Sequence, residues 1–402
     1  MFKQNRYLPS SATNMFPRAT FDAAGRIRVG EPTTLGDYKQ TGFQRTLMLN
    51  NAGNGSAVWG ANKLSLSVAG AAQYQVMQSK RVHPYFSGKS QLIEITSDHM
   101  QHEENVLKRW GYYSSSVAAP YEDTLDGFWL ESDGDDYYLV ASRAGTETVR
   151  VPSQGWDNWT DLNRYNWQFF SVIFFDFLWL GGAVLRLWVK TEAGFILAHT
   201  VNWSGSEEDV FILNPSQPLR VEIRGTGAGG GQLRYVCAQV ATEGQIGESG
   251  QGFSVDTGTP EVVMSSVDTT YPLIAVRKKA ARLEAADEII GVNVGVGSAN
   301  DRAVWSVQIN PTLSAPLTYA DITNFSIQKA NGNGTITVTA PGTVIASGPV
   351  ATNVPIPGDA FKSNFLTRLS QGIDGSMDEY VLCMGLQTSG IASTGYISMK
   401  EY

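Results

Sequence analysis

Charge is scarce in this 402-residue chain: Asp, Glu, Lys and Arg together make up 17%, against roughly 25% in an average soluble domain. The balance is acidic, with a formal net charge of −8, and the only basic cluster is Arg277, Lys278, Lys279 and Arg282. A nucleic-acid binder needs a broader positive face to meet the phosphates, so no nucleic-acid partner is expected and the cluster reads as an exposed face or subunit contact. Cysteine is nearly absent. Cys237 and Cys383 sit 146 positions apart inside apolar runs, which excludes a disulfide framework and points to buried thiols. Uninterrupted apolar stretches are missing too. The nearest, 169–189, is cut by Asp176 and Arg186 and broken by Gly181 and Gly182, so it reads as two buried strands around a glycine turn, with no membrane insertion. The opening MFKQNRYLPS has no apolar segment behind its basic residues, so no secretory signal is expected.

What is abundant is glycine, at 41 residues against 16 prolines, and aromatic side chains at 11%. That combination favours sheet with many tight turns. Strand patterns recur accordingly. Residues 63–68 (KLSLSV) alternate so that Leu64, Leu66 and Val68 share a face. Residues 128–141 form two apolar runs around a Ser-Asp-Gly-Asp turn, and 184–189 with 195–201 form a second hairpin. Further strands are expected at 219–223, 233–240, 273–277, 289–296, 303–309, 335–339, 381–386 and 395–399, and a short helix over 99–112. Residues 280–288 have helix-forming composition but lie between strands, and no fixed-period repeat or heptad run is present. The expectation is an all-β protein: an extended docking arm over 1–25, a large antiparallel β-sandwich of jelly-roll or lectin-like type over 26–250, and a smaller C-terminal β-sandwich over 251–402. Phe2, Tyr7, Phe16 and Phe21 are the arm's anchors.

Candidate sites are few. The loop 225–231 matches G-x-G-x-x-G, but it runs into a strand rather than the helix a dinucleotide site requires. His99 and His102, followed by Glu103 and Glu104, have a spacing that fits two metal ligands on a helix, with a solvated polar turn as the simpler reading. Asp133, Asp135 and Asp136 lack the Glu of a calcium loop and read as a hairpin turn. No G-x-S-x-G elbow is present and no spacing singles out a carboxylate pair, so no enzymatic activity, catalytic residue, metal or cofactor is expected. Six tryptophans fall between 156 and 203. Trp179 lies in a continuous apolar run and reads as core; Trp156 and Trp159, in a polar loop, and Trp188, alternating with Leu187 and Val189, are the candidates for a glycan-binding or subunit surface.

Several segments taken in order resemble a family of virion structural proteins from large tailed bacteriophages, often labelled tail-fibre-like. They are Arg26 to Gln40 (RIRVGEPTTLGDYKQ), the Gly88-Lys89-Ser90-Gln91 run after Pro84-Tyr85, and the 151–162 loop. Trp179-Leu180-Gly181 before Arg186, His199, Pro218-Leu219-Arg220 through Ile223, and Cys237 ahead of Glu243-Gly244 follow. Residues 272–277 and the closing Ser398-Met399-Lys400-Glu401 complete the set. The resemblance implies a virion component built from β-domains, assembled in the host cytoplasm, with other tail, neck or capsid subunits as partners. A homo-oligomer is expected, with a trimer favoured and tail placement preferred over head decoration. A host surface glycan is the alternative partner.

Overall fold

The structure is a computed structural model and describes residues 31–40, 48–115, 121, 124–180, 184–205, 207–244, 250–280, 285–296, 302–350 and 365–402. The docking-arm anchors Phe2, Tyr7, Phe16 and Phe21 lie outside the described residues. The chain is all-β and divides into two compact units, Met1–Glu248 and Ser249–Tyr402. The sequence patterning puts that junction at 250/251.

The first unit is a sandwich of two antiparallel sheets. One runs in the order Gly194–Asn202, Val184–Thr191, Ser171–Leu178, Gln91–Asp98, Gly231–Thr242, Lys63–Val68, Ser56–Gly60, and Thr33–Lys39 also pairs with the long strand Gly231–Thr242. The other runs Thr146–Pro152, Tyr137–Arg143, Asp126–Ser132, Val106–Ser114, Leu219–Gly225, Tyr74–Ser79, Leu49–Gly53. Period-two patterning dictates the layering: Leu64, Leu66 and Val68 are buried while the serines between them are half-buried. Aromatics fill the gap between the sheets. Phe128 meets Phe175 and Phe177 at 5.3 and 4.9 Å, Tyr112 meets Phe177 at 5.8 Å, and the Trp110 indole N–H crosses to the Ser97 hydroxyl at 3.1 Å.

The helix expected over 99–112 is not formed. Val106–Ser114 is a central strand, with Val106, Trp110 and Tyr112 fully buried at every second or fourth position. A run rich in aromatics with a two-residue period gains more from a half-buried sheet than a helix offers, and only the polar stretch ahead of it stays as a turn. Residues 281–284, part of the segment with helix-forming composition, lie outside the described residues, and Asp287–Val296 is strand.

The second unit holds two larger sheets and a two-stranded one, Thr312–Leu313 with Val338–Ala340. Ile391–Glu401 is the spine of one, pairing with Gln251–Asp256, Val262–Met264 and Asp287–Val296. The other runs Ala320–Asp321, Ile327–Asn331, Thr270–Lys278, Tyr380–Leu386, Ala303–Ile309, Thr343–Pro349. Leu273, Leu382, Val292, Ile397 and Met399 belong to their shared core. The strand expected at 335–339 begins later, at Val338. Asn333 is the cause: its side-chain oxygen accepts from the Thr335 and Ile336 amides, holding those residues in the turn.

Candidate functional site

The densest polar constellation lies on the face of the seven-stranded sheet turned away from the core. Trp110 and Tyr112 point inward, so Arg109, Gly111 and Tyr113 point outward. Register then does the rest. Arg109 sits opposite Glu131 on one neighbouring strand and opposite Glu222 on the other, and its guanidinium reaches both carboxylates at 2.7 Å. The pairs continue outward: Arg150 bonds Glu131 at 2.8 Å, and Glu222 also accepts from Arg220 at 2.6 Å and from Arg224 at 3.2 Å. Trp129 donates its indole N–H to Glu131 at 3.0 Å. Glu131, Glu222 and Arg220 are all buried.

Two glycines make room for this face. Gly111 lies opposite Trp129 and Gly127 opposite Tyr113, and the two rings pack at 4.9 Å. A Cβ at Gly111 would meet the Phe128 carbonyl oxygen at 2.3 Å, and Gly127 has φ +127°, a conformation only glycine adopts without strain.

The electrostatics are those of a locked lattice. Burial pushes the Glu222 carboxyl upward, but Arg220, Arg109 and Arg224 outweigh it and hold it well below the usual carboxylate range. Glu131 is likewise pushed up by burial and pulled down further by Arg109 and Arg150. Arg109 is held protonated by the same two carboxylates against its own burial. Glycoside cleavage by paired carboxyls needs one of them protonated at working pH. Here both are ionised and saturated with donors, so the arrangement braces four strands rather than dividing acid from base.

The tryptophans separate. Trp156 is 4% exposed, which corrects its expected place on an open surface. The sandwich ends in two edge strands, Thr146–Pro152 and Gly194–Asn202, and the loop between them closes the side of the core. Trp156 donates its indole N–H to the Val151 carbonyl at 3.2 Å. Asn158 bonds the backbone of Leu197 and Ala198 on the opposite edge. The Trp156 ring fills the gap, and burying its large apolar area stabilises the closure. Trp159 is half-buried against it, the rings edge-on at 5.9 Å. Trp188 stands elsewhere, half-buried on the outer face of the eight-stranded sheet and stacked on Phe174 at 5.5 Å. Trp179, expected in the core, is half-buried and donates to the Ile212 carbonyl at 3.1 Å.

The histidines do not converge. The His99 ring nitrogen Nδ1 meets Arg234 at 2.8 Å, whereas His102 bonds the Ser132 hydroxyl at 2.9 Å and packs on Tyr137 at 4.0 Å. Burial lowers the pKa of both. Among the described residues no group of three or more His, Cys, Asp or Glu side chains is placed to hold a metal. Neither cysteine is in a disulfide; Cys383 is buried and Cys237 half-buried. No helix among the described residues is long and apolar enough to cross a membrane.

The ladder residues Arg109, Glu131 and Arg224 escape single-sequence inspection. The one visible signal is residues 220–224 (RVEIR), a strand in which every second residue is charged and the others apolar.

No protein-family model matches this sequence, and no curated protein matches it. Solved structures similar to it include a β-glucanase from Bacillus licheniformis, 11% identical, covering 55% of this chain and 100% of that one with a TM-score of 0.35. A legume lectin-like domain from Entamoeba histolytica is 10% identical over 53% of this chain and 98% of that one, TM-score 0.33. A carbohydrate esterase from a Shiga toxin-encoding bacteriophage is 13% identical over 53% of this chain and 100% of that one, TM-score 0.32.

Proposed function

We propose that this chain is a non-enzymatic structural subunit of a tailed-bacteriophage virion, a tail fibre, appendage or tail-tip piece that works as a homo-oligomer. The observation that carries the reading is where large apolar side chains are left in water. Phe169 and Phe170, at one end of the strand Ser171–Leu178, are 66% and 57% exposed. Leu180, at its other end, is 57% exposed, and Leu213 is 55% exposed next to Ile212, whose carbonyl accepts from Trp179. Uncovered apolar side chains of this size, left at both ends of one strand, mark surfaces that a neighbouring subunit covers. The saturated Arg/Glu lattice fits the same role, because it stiffens a sheet face and offers no titrating pair. The ordered resemblance to virion proteins supports the particle. Antibodies raised against the chain and imaged on particles by electron microscopy test it: labelling at a fixed position on the tail is expected, and unlabelled particles refute the proposal. In the same scheme residues 1–25 dock the subunit, and a chain lacking residues 1–20 stays soluble but is not incorporated.

A second reading, recognition of a host surface glycan, is favoured by one feature. Trp188 is partly open to solvent on an outward sheet face beside other aromatic rings, and its indole N–H has no partner. Loss of host-cell binding in a Trp188→Ala chain would be expected; unchanged binding by that variant counts against it.

A further inference from the structure

Asparagine is followed by glycine at three places, Asn54-Gly55, Asn331-Gly332 and Asn333-Gly334. Such pairs are chemically labile, because a glycine nitrogen has no neighbouring side chain to keep it from the asparagine side-chain carbonyl carbon. All three asparagines are exposed, so access does not separate them. Hydrogen bonding does. The Gly55 amide is committed to the Tyr74 carbonyl at 2.9 Å, and the Gly332 amide to the Leu273 carbonyl at 2.8 Å. Their asparagines are tied as well: Asn54 Nδ2 donates to the Ala72 carbonyl at 3.2 Å and Asn331 Nδ2 to the Thr257 carbonyl at 2.7 Å. Among the described residues, neither the Gly334 amide nor Asn333 Nδ2 has an acceptor.

The Asn333 side chain is also arranged to be attacked. Its Oδ1 accepts from the Thr335 amide at 3.0 Å, the Thr335 hydroxyl at 2.8 Å and the Ile336 amide at 3.2 Å. Attack by a nitrogen on Cγ moves negative charge onto that oxygen, and donors already aimed at it stabilise the change. We infer that Asn333 is a self-modification site of the folded chain, where the Gly334 main-chain nitrogen displaces the Asn333 side-chain amide and water completes its conversion to aspartate or isoaspartate. The Gly334 nitrogen passes its proton to solvent and bonds to Cγ; the Cγ–Nδ2 bond breaks, and ammonia leaves with a proton returned by solvent. Water then opens the five-membered imide, at the side-chain carbonyl to give aspartate or at the main-chain carbonyl to give isoaspartate. One water is consumed, one ammonia is released, and no oxidation state changes. Aspartate adds a negative charge and keeps an oxygen facing the Thr335 and Ile336 amides. Isoaspartate lengthens the main chain beside Gly334, where a Cβ would stand 1.9 Å from the Val263 carbonyl oxygen. This inference stands apart from the particle reading.

The test is peptide mass spectrometry of the full chain, held either folded or in urea in mildly alkaline buffer and sampled over days, with isoaspartate located by its fragment ions. In the folded chain, the mass gain of an NH2 exchanged for OH is expected at Asn333, with both products present. Asn54 and Asn331 react only through local opening and should be at least about tenfold slower. In urea the three should converge on one rate. Folded-chain rates at Asn54 or Asn331 that match Asn333 overturn the proposal, as does a folded chain in which Asn333 stays intact while it reacts in urea. Conversion without isoaspartate at position 333 overturns the imide step.

Discussion

Arg109 stands between Glu131 and Glu222, one on each neighbouring strand, with 2.7 Å to either carboxylate. Because the three are in direct register, with both carboxylates buried and Arg109 half-buried between them, each depends on the others. Replacing Glu222 by Gln leaves Arg109, Arg220 and Arg224 short of a countercharge, and a loss of about 3–5 kcal/mol in denaturant-unfolding stability is expected. The pH dependence has a defined sign. Glu222 titrates lower in the folded chain than in the unfolded one, so its contribution is complete above about pH 4.5. It declines as acidity increases toward the folded value. The Gln variant therefore loses slope on the acid limb of the stability profile; an unchanged acid limb contradicts the lattice.

Gly127 tests the backbone beneath that lattice. Alanine there carries φ +127° and brings its Cβ to 2.3 Å from the Tyr112 carbonyl oxygen, against the strand that holds Arg109. A loss of at least about 1–3 kcal/mol in thermal or chemical unfolding is expected, whereas alanine at Gly88, also at positive φ but with nothing within 4 Å, loses less.

Trp156 and Trp159 separate plug from surface. Trp156→Ala empties a filled gap between the two sheet edges and costs about 3–5 kcal/mol. Trp159→Ala, at a half-buried position, costs clearly less. Equal, small effects at both positions, read by calorimetric melting, would mean the loop does not close the core.

Lys108 gives a spectroscopic prediction. Its ammonium is fully buried and donates to the carbonyls of His99 and Gln101 at 2.8 and 2.9 Å, with Glu103 at 3.2 Å. Burial pulls its pKa down to about 8, and Glu103 only partly restores it. The unfolded chain then holds more protons than the folded one between about pH 8 and 10.5, so stability from this group rises with pH across that window. Carbon NMR of the lysine ε-methylenes should show one titration near pH 8; all lysines titrating near 10.5 contradicts the burial.

Much of the layering was legible from one sequence. Leu64, Leu66 and Val68 announce a half-buried strand by spacing alone, and the hairpin at 128–141 is written in its turn residues. The helix expected over 99–112 fails because a short polar run, His99 to Asn105, precedes a strand whose period is obscured by adjacent tyrosines. The Arg109 lattice is not legible, since it joins residues 22 and 113 positions apart through register, which no local pattern encodes. Trp156 misleads for a related reason: its neighbours are polar because they face solvent, while the gap it fills is created by strands distant in sequence. Trp188 was legible as outward-facing through its alternation with Leu187 and Val189.

If the proposed function holds, neighbouring subunits of a particle cover Phe169, Phe170, Leu180 and Leu213. Quantitative mass spectrometry of particles purified through a density gradient, carrying either the unaltered chain or one with Phe169→Ser, Phe170→Ser, Leu180→Ser and Leu213→Ser, measures this directly. A fixed copy number is expected for the unaltered chain, with loss of the folded quadruple variant from the particle fraction. Equal incorporation of both, or a chain found only as free monomer, would contradict it.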